Sequence, residues 1–215
     1  MRTKKITALL SLLVAPLCLA AALTHIDASA DSSTGIVDQC FSSASSAAGF
    51  VLACPAGDGE TLAEKGLDIS VTCRDGANVP IPNIPAADFW LIGCNNNLVL
   101  CGGSGSSNAD HITDNNGQTT ISGTIAASGF DQVMVVVQGV IIGCPSTCLP
   151  IAVTSPDQNG DLAVDVTDLA LFASGYPPQP YHLKSDLDGS GEIDVLDVNL
   201  MYLHFYYPSA KHECN

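Results

Sequence analysis

The chain has 215 residues, 47% of them hydrophobic, and a formal net charge of −15 at neutral pH. So acidic a surface is repelled by nucleic acid and by anionic membranes, which leaves cations and basic partners as candidate ligands.

In chain order, the first thirty residues read as a targeting segment. Arg2, Lys4 and Lys5 supply a positive start, Ile6 to Ala22 an apolar run, and Ala28-Ser29-Ala30 the small-x-small pattern of a signal-peptidase site. A membrane anchor is the first alternative, because the apolar run is close to spanning length. A lipidated Cys18 is the second, although Pro16 and Leu17 stand where small residues are expected. Cleavage near Ala30 predicts an exported chain, secreted or held at the cell surface, with no membrane span remaining. It also removes three of the seven basic residues and one acid, Asp27, leaving 4 basic against 21 acidic side chains and a charge of −17.

Eight cysteines remain after cleavage: Cys40, Cys54, Cys73, Cys94, Cys101, Cys144, Cys148 and Cys214. An even number in an exported chain predicts up to four disulfides, and eight cysteines allow about 105 pairings. The rival is a zinc site built on Cys144-x-x-x-Cys148. No Cys-x-x-Cys pair occurs and no histidine lies nearby in sequence, which argues against it.

Residues 31–150 read as β structure. Leu67 to Cys73 alternates apolar and polar side chains at period two, so one face is buried and one is wet. Phe89 to Ile92, Thr119 to Ile125 and Val133 to Ile142 are further strand candidates, rich in β-branched and aromatic residues. Breakers separate them: Asp75-Gly76, Pro80, Pro82, Pro85, Asn95 to Asn97, Gly102 to Gly105 and Asn116-Gly117. The pattern predicts a sandwich of two antiparallel sheets. The stretch Ile69 to Pro82 with Ile84-Pro85, and later Thr113 to Thr119, resembles bacterial Ig-like domains, over about residues 65–143.

Residues 151–215 carry the chemistry. Asp157, Asn159, Asp161, Asp165 and Asp168 place side-chain oxygens at positions 1, 3, 5, 9 and 12 of a twelve-residue loop. Asp186, Asp188, Ser190, Asp194 and Asp197 repeat the pattern 29 residues later. Calcium is a hard cation that takes six to eight oxygens, and alternate side chains of a tight loop supply them at this spacing. Position 7 adds its backbone carbonyl, here Ala163 and Glu192. Val164 and Ile193 are the apolar eighth positions, which form a short two-stranded contact in paired EF-hands. Position 12 is expected to start a helix in each case. The second, roughly Val195 to Tyr207, is apolar nearly all round and so needs cover on more than one side. That cover is the chain end folded over Tyr176 and Tyr181, the β domain, or a partner.

Two such loops, both ending in Asp, with no full helix before the first, resemble a dockerin. The strand pattern and the dockerin resemblance together give the expected fold: a mainly β chain in which an antiparallel Ig-like sandwich (31–150) is followed by a small α-helical paired EF-hand-like domain (151–215). The resemblance implies two calcium sites held by the residues above. It also implies docking onto a cohesin-type protein module through loop positions 10 and 11, here Val166, Thr167, Val195 and Leu196, and a bacterial source. Leu162 stands at position 6, which needs a positive φ, where the second loop has Gly191. That costs about 1 kcal/mol and predicts the first calcium site to be the weaker.

Catalysis is not expected. His111, His182, His204 and His212 are scattered, and no serine or cysteine stands in a nucleophile motif. Direct polysaccharide binding lacks exposed aromatics, since residues 31–150 hold one tryptophan, Trp90, and no tyrosine. Trp90 sits in an apolar run and reads as core. Two functions lead. One is a calcium-dependent attachment module, which the resemblance links to polysaccharide-degrading or cell-surface assemblies. The other is a structural or adhesion protein in which the calcium pair is only a stabilising cap. They differ in whether the faces bearing Val166, Thr167, Val195 and Leu196 are free or covered.

Overall fold

The computed structural model describes residues 43–46, 48–101, 107–142 and 148–205. The leader-like segment and Cys40, Cys144 and Cys214 lie outside the described residues, as do Tyr206 and Tyr207.

The alternating segment predicted around residue 70 forms a strand because Ile69 and Val71 share a buried face, while Ser70 points to solvent. It pairs antiparallel on both edges, giving a sheet of β1 (Ser43–Ser45), β3 (Ile69–Thr72) and β6 (Gln118–Ile121) in the order β1-β3-β6. The second sheet runs β2 (Gly49–Leu52), β9 (Ile151–Thr154), β7 (Ala127–Val137) and β4 (Phe89–Gly93). Two short strands, β5 (Leu98–Leu100) and β8 (Val140–Ile141), also pair with β7. Ile69, Val71 and Ile121 of one sheet meet Phe89, Leu91, Val133, Val135, Ile151 and Val153 of the other in one apolar core. The β part is therefore the two-layer sandwich that the strand pattern predicts. The two segments that carry the Ig-like resemblance are adjacent in space. The Thr113 hydroxyl accepts from the Ile84 N–H at 2.8 Å and donates to the Ile81 carbonyl at 2.9 Å.

The eleven-residue β7 changes partners along its length. It pairs with β5 over 127–129, with β9 over 130–132 and with β4 over 133–137. The first change falls at Gly129, at φ 94°, where a Cβ would stand 2.1 Å from the Asn97 carbonyl oxygen. Two residues on, the buried Asp131 carboxylate accepts from the backbone N–H groups of Asn95, Asn97 and Gln132 and from the Asn95 amide, at 2.7 to 3.1 Å. It thereby holds the Asn95–Asn97 turn. Asp131→Ala would leave those N–H groups without an acceptor and is expected to cost roughly 2–4 kcal/mol, measured by urea unfolding.

A disulfide joins Cys94 to Cys148, beside that turn, and Cys101 is disulfide-bonded as well. Closing a loop of 54 residues is worth about 4 kcal/mol in the chain-entropy account. Cys54 and Cys73 depart from the disulfide expectation. Both remain buried thiols, Cys73 in the sandwich core and Cys54 in a second apolar cluster, so they cannot bridge each other. Burial pushes the Cys73 thiol up to about 12. Trp90 is also corrected. Phe89, Leu91 and Gly93 take the inward face of β4, and the strand's period leaves Trp90 half-buried on the outer face.

The expected fold class is overturned on two points. The sandwich is not wholly antiparallel, because β2 pairs parallel with β9. Nor is there a separate α-helical paired EF-hand domain after it. Among the described residues there are two α-helices of ten residues each, α1 (Val166–Gly175) and α2 (Val195–His204), and no α-helix precedes the first loop. Residues 151–154 are a sheet strand, and the segment beyond closes on the β body. Val164, Phe172, Leu187, Ile193 and Met201 form one apolar cluster with Leu52 and Cys54 at the end of β2. The second loop presses so closely on β2 that a Cβ on Gly189 would lie 2.5 Å from the Phe50 ring. The physical reason is an apolar inventory too small for an independent core, which is completed by the sheet's edge.

Candidate functional site

Each loop is folded by its own carboxylates. In the first, the Asp157 oxygens accept from the N–H groups of Gly160 and Leu162, both at 2.7 Å. Asp168 accepts from the N–H groups of Gln158 and Asn159 with one oxygen and of Asp165 with the other. The second loop repeats this. Asp186 accepts from Ser190 and Gly191, and Asp197 from Leu187, Asp188 and Asp194. Positions 1 and 12 are thus drawn together over the loop, and the spacing of the sequence becomes proximity in space.

Helices begin at position 10, earlier than the expected position 12. Asp165 and Asp194 at position 9 are the N-caps, accepting from the Thr167 and Leu196 N–H groups at 2.7 Å. Asp168 and Asp197 complete a capping box in each helix. The two apolar eighth positions, Val164 and Ile193, share the apolar cluster, and among the described residues no strand pairing joins them.

The carboxylate oxygens of Asp157, Asp161 and Asp168 lie within 4.8 Å of one another, and so do those of Asp186, Asp188 and Asp197. Asp157, Asp168 and Asp197 are fully buried, and Asp186 nearly so. Among the described residues no lysine or arginine pairs with any of them. Burial, with the neighbouring charges of Asp157 and Asp188 respectively, raises the Asp168 and Asp197 carboxyls above their ordinary range. Two such carboxylates within this distance repel by about 3 kcal/mol at an effective dielectric near 20. Asn159 and Asp161 bond to each other at the mouth of the first loop, and the Ser190 hydroxyl donates to the Glu192 carbonyl in the second. The donor set of both loops is oxygen throughout, with the Ala163 and Glu192 carbonyls at position 7, and this suits a hard divalent cation.

Sequence reasoning missed the Tyr181 hydroxyl, which donates to Asp186 at 2.6 Å from the connection between the loops. Burial and that bond push it up to about 12. It also missed the approach of His204 to Cys54 and Asp58, about 150 residues earlier in the chain.

Leu162 takes the positive φ required of position 6, at 70°, as Gly191 does at 91°. A side chain is strained there, whereas glycine loses more freedom on folding. Leu162→Gly is expected to raise stability by about 0.5–1 kcal/mol, seen as a higher urea midpoint at constant slope.

The four residues expected to contact a partner are all exposed: Val166 at 68%, Val195 at 69%, Leu196 at 56%, and Thr167 beside them. Val198, Tyr202 and Leu203 extend this apolar surface on α2, while Met201 is its one fully buried apolar side chain. The helix therefore has cover on one side. No helix of the described residues is long and apolar enough to cross a membrane.

No protein-family model matches the sequence, and no curated protein matches it. Among solved structures the chain is similar to the crystal structure of the Lin-41 filamin domain, at 14% identity and a TM-score of 0.30, over 54% of this chain and 95% of that one. A likeness so distant fixes neither fold nor function.

Proposed function

We propose that this is an exported, non-catalytic protein that binds two calcium ions in the loops 157–168 and 186–197. One observation carries the reading. Each loop gathers buried carboxylates against one another, and among the described residues no lysine or arginine pairs with them. A divalent cation removes that repulsion and takes the oxygens as ligands. Asp157, Asn159, Asp161, Asp165, Asp168 and the Ala163 carbonyl would hold the first ion. Asp186, Asp188, Ser190, Asp194, Asp197 and the Glu192 carbonyl would hold the second.

Bound calcium fixes the starts of α1 and α2 and presents Val166, Thr167, Val195 and Leu196 to a partner protein, a cohesin-type module by resemblance. Their exposure favours attachment over a role as a cap alone. The shared cluster with Leu52 and Cys54 favours a stabilising role at the same time, so one pair of ions serves both. Calorimetric titration of calcium into the chelator-stripped full chain tests the reading. Two binding events are expected, one lost in Asp157→Asn and the other in Asp186→Asn. Absence of binding in the unaltered chain overturns it.

A further inference from the structure

We infer that Cys54, Asp58 and His204 form a third metal site, for a transition-metal ion of the zinc class, which ties the end of α2 to the β body. Cys54 lies just beyond β2 and is fully buried. The chain then turns, with the Gly57 N–H donating to the Cys54 carbonyl at 2.8 Å, and this brings Asp58 back beside it. His204 is the last residue of α2, and only 12% of its side chain is exposed. The thiol sulfur, a carboxylate oxygen and an imidazole nitrogen all lie within 4.8 Å of one another, and His204 Nδ1 is 3.7 Å from Asp58 Oδ1.

Metal–sulfur bonds of about 2.3 Å and metal–nitrogen or metal–oxygen bonds of about 2.0–2.2 Å put tetrahedral ligand atoms some 3.3–3.8 Å apart. The His204–Asp58 side already has that length. No side exceeds 4.8 Å, so the triangle reaches metal-ligand dimensions by closing at most about 1.5 Å. A nucleophilic cysteine–histidine pair fits less well, because the sulfur is sealed from solvent and from any substrate.

Donor chemistry separates this site from the loops. Sulfur, nitrogen and oxygen together suit zinc, cobalt or copper, whereas the all-oxygen loops suit calcium. On binding, the Cys54 thiol gives its proton to water and its sulfur bonds the metal. Three protein ligands leave a fourth position for water or a small donor on the Asp58 side.

The test is titration of cobalt(II) into the calcium-saturated full chain, read by absorption. One equivalent is expected to bind with a sulfur-to-cobalt charge-transfer band in the near ultraviolet, which zinc removes and further calcium does not. Cys54→Ser should abolish the band, Cys73→Ser should keep it, and Asp58→Asn and His204→Gln should each weaken cobalt binding at least tenfold. Asp58→Asn lies on an exposed turn, so it decides the matter even where Cys54→Ser fails to fold. No band in the unaltered chain, a band that survives Cys54→Ser, or unchanged affinity in Asp58→Asn overturns the inference.

Discussion

Stripping calcium from the chain is expected to lower its thermal midpoint by roughly 10–20 °C. A ligand at a hundred times its Kd stabilises the folded state by about 2.7 kcal/mol per site. Two independent sites double this, and each kcal/mol moves the midpoint of a domain this size by about 2–4 °C. The measurement is calorimetric unfolding in millimolar calcium and in chelator, with Asp157→Asn plus Asp186→Asn as the variant whose midpoint no longer responds. An unaltered chain that melts at the same temperature in both would remove the basis for the proposal. The pH dependence should differ in sign between the two states. In the calcium-free chain, burial holds Asp168 and Asp197 above the ordinary carboxylate range, so folding takes up protons. Stability is then fully present below the unfolded value near 3.9 and declines as pH rises through the folded one. With calcium bound the same groups must be ionised, so stability rises with pH over that window.

Met201→Ala is expected to cost about 2–5 kcal/mol and to weaken calcium binding at both loops together. Met201 is fully buried on α2 and lies in the cluster with Val164 of the first loop, Ile193 of the second and Leu52 of β2. A cavity there loosens what holds the two loops on the sheet edge, so neither loop escapes. Urea unfolding gives the first quantity and calorimetric titration the second. Loss confined to the second loop would mean that the cluster does not couple them. Leu196→Ala, on the exposed face, should leave both quantities nearly unchanged.

What could be read in the sequence was local. The alternation of Leu67 to Cys73 gave β3 and its buried face, and the spacing of Asp157 to Asp168 gave the clustering of carboxylates, because a twelve-residue loop determines its own geometry. Leu162 was recognisable as a strained position for the same reason. What could not be read was long-range. Ser43 to Leu52 carries no strong strand signal, so neither β1 nor β2 could be placed within it, and a parallel partner a hundred or so residues away leaves no periodicity. The residues of the second loop look sufficient for a small core until the sheet edge is seen beneath them, with Phe50 against Gly189. Trp90 was misjudged because an apolar run hides which of its residues face inward. Cys54, Asp58 and His204 meet only once α2 has packed on β2, and no spacing rule relates them.

The pairing of β2 with β9 also sets an order of events. Gly49 to Leu52 find their partners in Ile151 to Thr154, about 100 residues later. At a synthesis rate of roughly 5–20 residues per second, that partner follows by roughly 5–20 s. Through that interval Phe50, Val51 and Leu52 have no strand to complete their edge, and the sandwich cannot close around its core. The loops follow β9 directly, so assembly of the acidic clusters comes within seconds of the sheet's closure. Such a fold is acquired nearly all at once, with its most distant strand pairing among the described residues as the gate.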